Sequence, residues 1–355
     1  MAIVKCPEYA PEKVYGSVER LFELLGGVQQ MIRKGARVLI KPNLLSAHPP
    51  EAGITTHPEV IRALIKIVKK YGAGPVVGDS PAGSTTVAEV YQKTGIEAVC
   101  REEDAELVFF REFRKASNFF ISEEFFKADV VISAAKFKTH NLTMLTAAVK
   151  NMYGLIPGLY KTEYHKNAPN FWEFAELLAQ VYEVCRPHLS VIDGIVSMSG
   201  AGPVHGELVN SGMLFAGRDA ASVDAVLAEI IGIAPFDILY LRHIHKKKLG
   251  QIELKCIKIV GAALEDVKIK NFSKANIPWV CRLPNRLLKI LAMVVSIGPR
   301  VVTAKCRNCH VCLKSCPTGA IEEYKGKVRI NRSKCIFCLC CNEFCPYRAI
   351  KVRRV

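Results

Sequence analysis

Along the first 260 residues the apolar positions alternate between two spacings. Short runs rich in Val, Ile, Leu and Phe predict strands at Arg37–Lys41, Val76–Asp79, Val108–Phe110, Val130–Ser133, Leu189–Asp193, Met213–Ala216 and Ile257–Val260. Between them, apolar residues recurring at three- and four-residue steps predict helices near 17–33, 58–71, 85–94, 142–152, 171–186, 219–231 and 236–248. The strands are almost continuously apolar, so both their faces must be covered. That pattern predicts an α/β domain over 1–260, a largely parallel sheet with helices on both faces. After it the pattern breaks. Asn271–Pro284 shows little periodicity, Leu287–Ile297 is an apolar run interrupted by Lys289, and residues 300–355 read as a small, cysteine-rich α+β domain. Residues 261–299 are therefore expected to be a linker with one packing helix.

Polar residues gather where several predicted strands end: Lys41, Pro42 and Asn43; Asp79 and Ser80; Ser133 to His140; Asp193 and Gly194. Each alone is an ordinary strand-to-loop boundary, but together they predict a ligand crevice beyond the carboxyl ends of the strands. Lys136 and Lys138 alternate along an extended segment, and Lys150 with Asn151 closes an otherwise apolar helix. A cation there needs a partner, and a small anionic ligand is such a partner. The plainer alternative for Lys150 is the helix dipole, with Gly154 as terminator. Asp79 and Asp193 are candidates for orientation or proton transfer. His140 is a candidate acid or base, or else a hydrogen-bonded structural residue. The glycine-rich Ser199–Gly206 loop fits no dinucleotide fingerprint, because its third glycine comes one residue late, and no Walker motif occurs.

Composition narrows the class. In 355 residues, 50% apolar and 23% charged content exclude a disordered chain. No run of eighteen uncharged apolar residues occurs, and the first residues lack the charged start and apolar stretch of an export signal, so a globular cytoplasmic protein is expected. The net charge of +16 is uneven: residues 1–240 hold 24 basic against 27 acidic residues, and 241–355 hold 25 against 6. Nine of the 14 cysteines lie between Cys306 and Cys345, which in such a chain points to metal before disulfide.

Those cysteines follow one spacing twice. C-x-x-C-x-x-C-x-x-x-C-P begins at Cys306 and again at Cys335, with an offset of 29 and 8 identities in 17 aligned positions, so the segment is an internal duplication. Three thiolates in one tight loop reach three irons of a cubane, and the fourth must come from another direction. The expected sets are Cys306, Cys309, Cys312 and Cys345 for one [4Fe-4S] cluster, and Cys335, Cys338, Cys341 and Cys316 for the other. Zinc also takes four cysteines, but zinc ribbons use separated C-x-x-C pairs. Cys340 is surplus, a packed spare thiol or a substitute for Cys341, and His310 reads as a loop residue. Residues 300–355 resemble the two-cluster bacterial-type ferredoxin domain, which implies low-potential one-electron transfer. Two oxidised clusters with their thiolates would bring the net charge from +16 to about +12.

The front of the chain carries a second resemblance. Ile40-Lys41-Pro42-Asn43, Gly78-Asp79-Ser80-Pro81, Lys136-Phe137-Lys138-Thr139-His140, Ala148-Val149-Lys150-Asn151, Asp193-Gly194-Ile195, and Gly217-Arg218-Asp219 leading into Ser222-Val223-Asp224-Ala225-Val226 are similar to the DUF362 family over about residues 1–260. Fusion to a two-cluster ferredoxin domain is an arrangement known in that family. The resemblance implies an architecture and site positions without a substrate. The expected function is an iron-sulfur oxidoreductase acting on a small anionic substrate or cofactor, with a flavin left open. Alternatives are a non-catalytic electron carrier docking a redox partner, or a cluster-stabilised binding or assembly protein. The basic back half suits an acidic redox partner of ferredoxin or flavodoxin type. It lacks any nucleic-acid module. The Leu287–Ile297 run with Arg282, Arg286 and Arg300 also suits peripheral contact with an anionic membrane.

Overall fold

In the computed structural model, residues 1–81, 86–168, 171–275, 297–336 and 338–354 are described. Their largest element is a mixed, mostly parallel nine-stranded sheet. Its strands are β1 (Ala2–Lys5), β2 (Arg37–Pro42), β3 (Gly74–Asp79), β4 (Glu106–Phe109), β7 (Val130–His140), β8 (Met144–Thr146), β9 (Leu189–Ser199), β10 (Glu207–Gly217) and β11 (Val260–Gly261). They run in the order β11-β1-β10-β9-β7-β2-β3-β4, with β8 paired to the end of β7. Strands β9, β7, β2, β3 and β4 are mutually parallel, and β10 is antiparallel to its neighbours β9 and β1. A separate hairpin joins β5 (Phe113–Ala116) to β6 (Phe119–Ser122).

Strand alternation divides the interior into two cores. Val38, Ile40, Val130, Ile132, Leu189 and Val191 face helices α1 (Pro11–Leu24), α2 (Pro58–Lys70), α3 (Val87–Lys93) and α4 (Ile96–Glu102). Leu39, Val131, Ala135, Phe137, Ile192 and Phe215 face α6 (Ala148–Asn151), α8 (Phe171–Val184), α9 (Ala220–Ile230) and α10 (Leu239–Lys246). Helix α2 shows why such segments are helical. Pro58 opens it, the His57 ring accepts from the Glu59 amide, Glu59 and the pair Lys69–Lys70 complement the dipole, and Val60, Ile61, Leu64, Ile67 and Val68 form one buried stripe. Two further helices are α5 (Glu123–Lys127) and α7 (Gly158–Asn167).

The structure departs from the periodicity in instructive places. Strands β7, β9 and β10 are 11 residues long, about twice the predicted runs. The carboxyl halves of β7 and β9 and the amino half of β10 carry Lys, Ser, His, Asn and Gly, which read as loop, yet β7 stays buried throughout because its polar groups pair inside the protein. The helix predicted near 142–152 is replaced by β8 and the four-residue α6. The first helix starts earlier, at Pro11, and ends at Leu24. The predicted strand at 257–260 shrinks to β11, and β1 had too short a pattern to be read.

The cluster segment forms its own small α+β unit. Strand β12 (Ile297–Val301) pairs antiparallel with β15 (Ile350–Arg354), and β13 (Ile321–Tyr324) with β14 (Lys327–Ile330). The duplication survives in the backbone: α11 (Val311–Lys314) follows left-handed His310, and α12 (Cys340–Glu343) follows left-handed Leu339. Cys312, Ile321, Val328, Cys341 and Ile350 form its core. The expected helix at Leu287–Ile297, with Arg282 and Arg286, lies outside the described residues. Among the described residues no helix is long and apolar enough to cross a membrane.

Candidate functional site

From β2 the chain passes outward to β3 and β4, then returns to place β7 on the opposite side of β2. The connections leaving the carboxyl ends of β2 and β7 therefore pass to opposite faces of the sheet, which is where open α/β sheets form ligand crevices. Lys41 of β2 and Asp79 of β3 meet there in a buried ion pair of 2.7 Å. Asp79 also accepts from the Leu44 and Ser80 amides, each at 2.8 Å. Asn151 ties β2 and β7 together, donating to the Lys41 carbonyl at 3.1 Å and the Ser133 hydroxyl at 2.9 Å, and accepting from the Lys41 amine at 3.2 Å. Gly154 lies directly against the ion pair, so a Cβ at that position would overlap both Asp79 Oδ1 and the Lys41 amine.

Lys136, expected to recognise an anion, and Asp193, expected to orient or to transfer a proton, face each other. Their ion pair of 2.8 Å is fully buried. Tyr9 donates to Asp193 at 2.8 Å while accepting from Lys136 at 2.7 Å, and the His57 amide reaches Asp193 at 2.9 Å. Removing one member of such a pair strands a buried charge, at a cost of about 3–5 kcal/mol, so Lys136→Ala reports on folding rather than on ligand recognition. Lys138 is likewise turned inward and donates to the Ile54 carbonyl. Burial, then the nearby Lys150 charge, holds its amine well below the ordinary lysine range.

His140, Lys150 and Asn43 do reach the crevice. The Leu142 and Thr143 amides donate to His140 Nδ1 at 3.1 and 3.4 Å, which fixes the ring with its proton on Nε2, 3.4 Å from Glu343 of α12. Burial, then Lys150 and Lys138, keeps this ring neutral by pulling its pKa well down. Lys150 is placed by a residue the periodicity did not single out for chemistry. Asp224 of α9 accepts from the Ala148 and Val149 amides at 2.8 and 3.2 Å, capping α6, and from the Tyr240 hydroxyl at 2.9 Å. Burial lifts this carboxyl to about 7, against the three hydrogen bonds that lower it. Asp224→Ala is therefore expected to orphan two helix amides and a buried phenol. The predicted loss is about 3 kcal/mol of stability in chemical denaturation, with displacement of Lys150.

These groups open onto a cavity of about 490 Å³. Its α/β wall includes Asn43, Leu44, Asp79, His140, Lys150 and Phe174; α7 adds Lys161 and His165. Lys161 and His165 stand four residues apart on one helical face. Their neighbours Tyr160 and Tyr164 instead pack on the aromatic rings of the β5–β6 hairpin. That division was the available sequence signal for Lys161 and His165. Lys161 donates to the Ser80 carbonyl, and burial brings its amine down to about 7. The Asn43 Oδ1 and His165 Nδ1 atoms are buried without a hydrogen-bond partner. The cavity thus gathers four amines, Lys41, Lys150, Lys161 and Lys314, against the carboxylates of Asp79 and Glu343. Lys41 is already matched by Asp79.

The opposite wall belongs to the cluster domain: Lys314, Cys316, Cys338, Cys340, Glu343 and Phe344. Lys314 and Glu343 occupy equivalent positions of the duplication. The domain is held in place beside the crevice by Asn342, which accepts from Asn141 at 3.3 Å and whose carbonyl lies 3.1 Å from His205 Nε2. The glycine-rich loop ending in His205 therefore clamps the two units and does not line the cavity. Gly202 fits against Thr139 only because it lacks a Cβ.

The cysteines sort into two groups that cross the duplication. Cys306, Cys309, Cys312 and Cys345 line one small cavity. Burial, then the neighbouring Cys345, Cys309 and Cys306, pushes the Cys312 thiol up to about 11. Cys341 is buried beside Cys338, Cys335, Cys312 and Cys316 and is raised as well. The two crossing cysteines share a local design: the Ala320 amide donates to Cys316 Sγ and the Ala349 amide to Cys345 Sγ, both at 3.2 Å. Thiols brought together from both repeats, each crossing sulfur with a backbone donor, fit cubane ligation.

Comparison with known proteins agrees with this division. Residues 38–229 match the family described as "Domain of unknown function (DUF362)", and residues 299–346 match the "4Fe-4S dicluster domain". The "Thylakoid-associated protein sll1697" of Synechocystis is 33% identical over 245 residues, 67% of this chain and 76% of that protein. The "Electron transport protein HydN" of Escherichia coli is 41% identical over 97 residues, 27% of this chain and 55% of that protein. Among solved structures, the lactate racemase apoprotein from Thermoanaerobacterium thermosaccharolyticum aligns with a TM-score of 0.43 at 12% identity, covering 65% of this chain and 57% of that one. The C-terminal unit is a ferredoxin-type domain that binds [4Fe-4S] and transfers electrons. The chain as a whole belongs to the DUF362 family.

Proposed function

We propose that the protein is an iron-sulfur oxidoreductase in which electrons pass through two [4Fe-4S] clusters to or from a small anionic ligand held in the α/β crevice. One observation carries this reading: Cys316, Cys338 and Cys340 form part of the wall of the same cavity that Lys150, Lys161, Asn43 and His165 line. In this assignment Cys306, Cys309, Cys312 and Cys345 hold one cluster, and Cys335, Cys338, Cys341 and Cys316 hold the other. When bound, such a cluster supplies or accepts one electron at a time at low potential.

The residues of the chain do the rest. Lys150, Lys161 and Lys314 attract the anion, and some of that positive charge also offsets the thiolates of the second cluster. The Asn43 and His165 side chains line the same cavity and add polar groups beside the ligand. The Lys41–Asp79 pair forms a rigid, neutral floor, and His140 Nε2–H with Glu343 supplies a proton-bearing pair at the mouth. Leu44, Leu142, Phe174 and Phe344 keep the cavity dry enough for these charges to matter. A pure carrier has no use for a cavity of this size lined by several amines. The test is anaerobic purification, mass spectrometry of the small molecule that co-purifies, and single-turnover mixing of that molecule with the reduced protein. Reoxidation by the small molecule, slowed in Lys150→Ala, is expected. Reoxidation by redox proteins alone would leave the carrier reading standing instead.

A further inference from the structure

The two cysteine groups differ in what surrounds them. The group with Cys316 and Cys338 faces the crevice, and its side of the domain is occupied by the contacts of Asn342 and Glu343 with Asn141, His205 and His140. In the other group Cys309 is exposed and Cys306 half-buried. We infer that the exposed face around Cys309 is the port where electrons enter or leave the protein, and that it docks a small acidic one-electron carrier protein of the ferredoxin or flavodoxin type. This deepens the reading of the crevice above and rests on it for what the electrons are used for.

The chemistry of the face argues for that partner. Lys305 and Arg307 flank Cys306 and are exposed. Asn308 donates to the Gly326 carbonyl at 2.8 Å, which brings the exposed Lys325 and Lys327 of the β13–β14 turn beside them. Arg348 is exposed next to Tyr347, which shares the cavity of Cys306 and Cys309. The exposed carboxylate here, Glu323, is already opposite His310 at 3.2 Å. The face is therefore strongly cationic, as fast encounter with an acidic protein requires. It also carries contact aromatics. Tyr324 is 54% exposed with the Lys325 amine and Arg329 guanidinium over its ring, and Tyr347 is 47% exposed. Tyrosine and arginine of this kind anchor protein interfaces. The other cationic run, Lys246–Lys248, ends α10 on the far unit, and Lys247 is paired with Glu183. The electron balance is simple. In each encounter the partner's reduced centre loses one electron and the cluster domain gains one, so a two-electron reduction in the crevice takes two encounters.

The experiment is anaerobic stopped-flow mixing of the oxidised, cluster-loaded protein with a reduced, negatively charged flavodoxin, across a salt series. Lys325→Glu combined with Lys327→Glu is expected to slow cluster reduction at low salt on the order of tenfold and to flatten its salt dependence. Lys305→Ala with Arg307→Ala moves the rate in the same direction. Iron content and reduction by dithionite stay unchanged in the Lys325/Lys327 pair, and Lys246→Glu with Lys247→Glu and Lys248→Glu leaves the rate as it was. The inference is overturned if the Lys246–Lys248 variant is the slow one, or if the rate ignores salt and all the port substitutions. It is equally overturned if those substitutions abolish binding to anionic vesicles while sparing the rate. Failure of the crevice reading looks different: no small molecule would reoxidise the protein, while flavodoxin still reduces it through this face.

Discussion

Replacing Cys345 with alanine is expected to remove the cluster of the first repeat, not that of its own. Wild-type protein purified without oxygen should carry about eight iron and eight sulfide per chain, and the variant about half. Double substitutions make the crossing visible, because residues that serve one unit are not additive. Cys345→Ala with Cys309→Ala should retain about as much iron as either alone, about four per chain, whereas Cys345→Ala with Cys338→Ala should retain almost none. The reverse pattern would show that each repeat holds its own cluster. Zinc without sulfide after anaerobic reconstitution would remove the assignment altogether. The effect reaches beyond metal content, since Cys312 and Cys341 sit in the small domain's core beside Ile321 and Ile350. Cluster binding and folding are coupled there. A variant that loses the second cluster should also lose the wall that Cys316 and Cys338 give the crevice, so ligand binding should fall with the second cluster more than with the first.

How much of this the sequence disclosed depended on the kind of signal. The cysteines were legible because a fixed spacing repeated at a fixed offset leaves little freedom for other geometry. The sheet and its two helical layers were legible because Val38/Ile40 and Leu39 face opposite cores, and a strand buried on both sides has a recognisable composition. Periodicity failed where polar residues are buried. It ended β7 at Ser133, although Lys136 continues the strand by meeting Asp193, a partner brought across by pairing with β9. The same failure assigned Lys136 and Asp193 to a ligand: strand ends and buried ion pairs look alike until the register is known. Lys150 was placed correctly at the end of α6, but the carboxylate that fixes α6, Asp224, lies in a different helix, and no local pattern connects the two. Lys161 and His165 fell in a stretch with almost no apolar periodicity. Only their four-residue spacing, opposite Tyr160 and Tyr164, marked them.

Anion affinity in the crevice should depend on pH through Lys161. Its amine, brought to about 7 by burial, against the opposing pull of Asp79 and with the help of the Lys41 and Lys150 charges, carries its full charge below that value and loses it above. The same shift acts on stability: an amine that gives up its proton more easily in the folded chain than in the unfolded one makes folding more favourable as pH rises from about 7 towards the ordinary lysine value. Ligand binding runs the opposite way. A bound anion raises the amine's proton affinity, so binding is strongest and pH-independent below about 7. Above it, affinity falls by up to about tenfold per pH unit until the pKa of the complex is reached. Sulfate is a suitable probe because its own charge does not change in this range. Calorimetric titration should show the break near pH 7 in the wild type and a shallower one in Lys161→Arg, where the Glu343 carboxyl, lifted to about 7 by burial, still titrates in the same cavity; Lys161→Met should keep that shallower break with affinity lower by about tenfold or more at acid pH. Lys150→Ala should weaken sulfate by a similar factor and move the break to higher pH, since Lys161 still titrates but has lost a neighbouring charge that lowers its pKa. If the wild type bound sulfate equally at pH values on both sides of 7, Lys161 would not be an anion-binding group. The positive charge of the crevice would then serve the thiolates behind it.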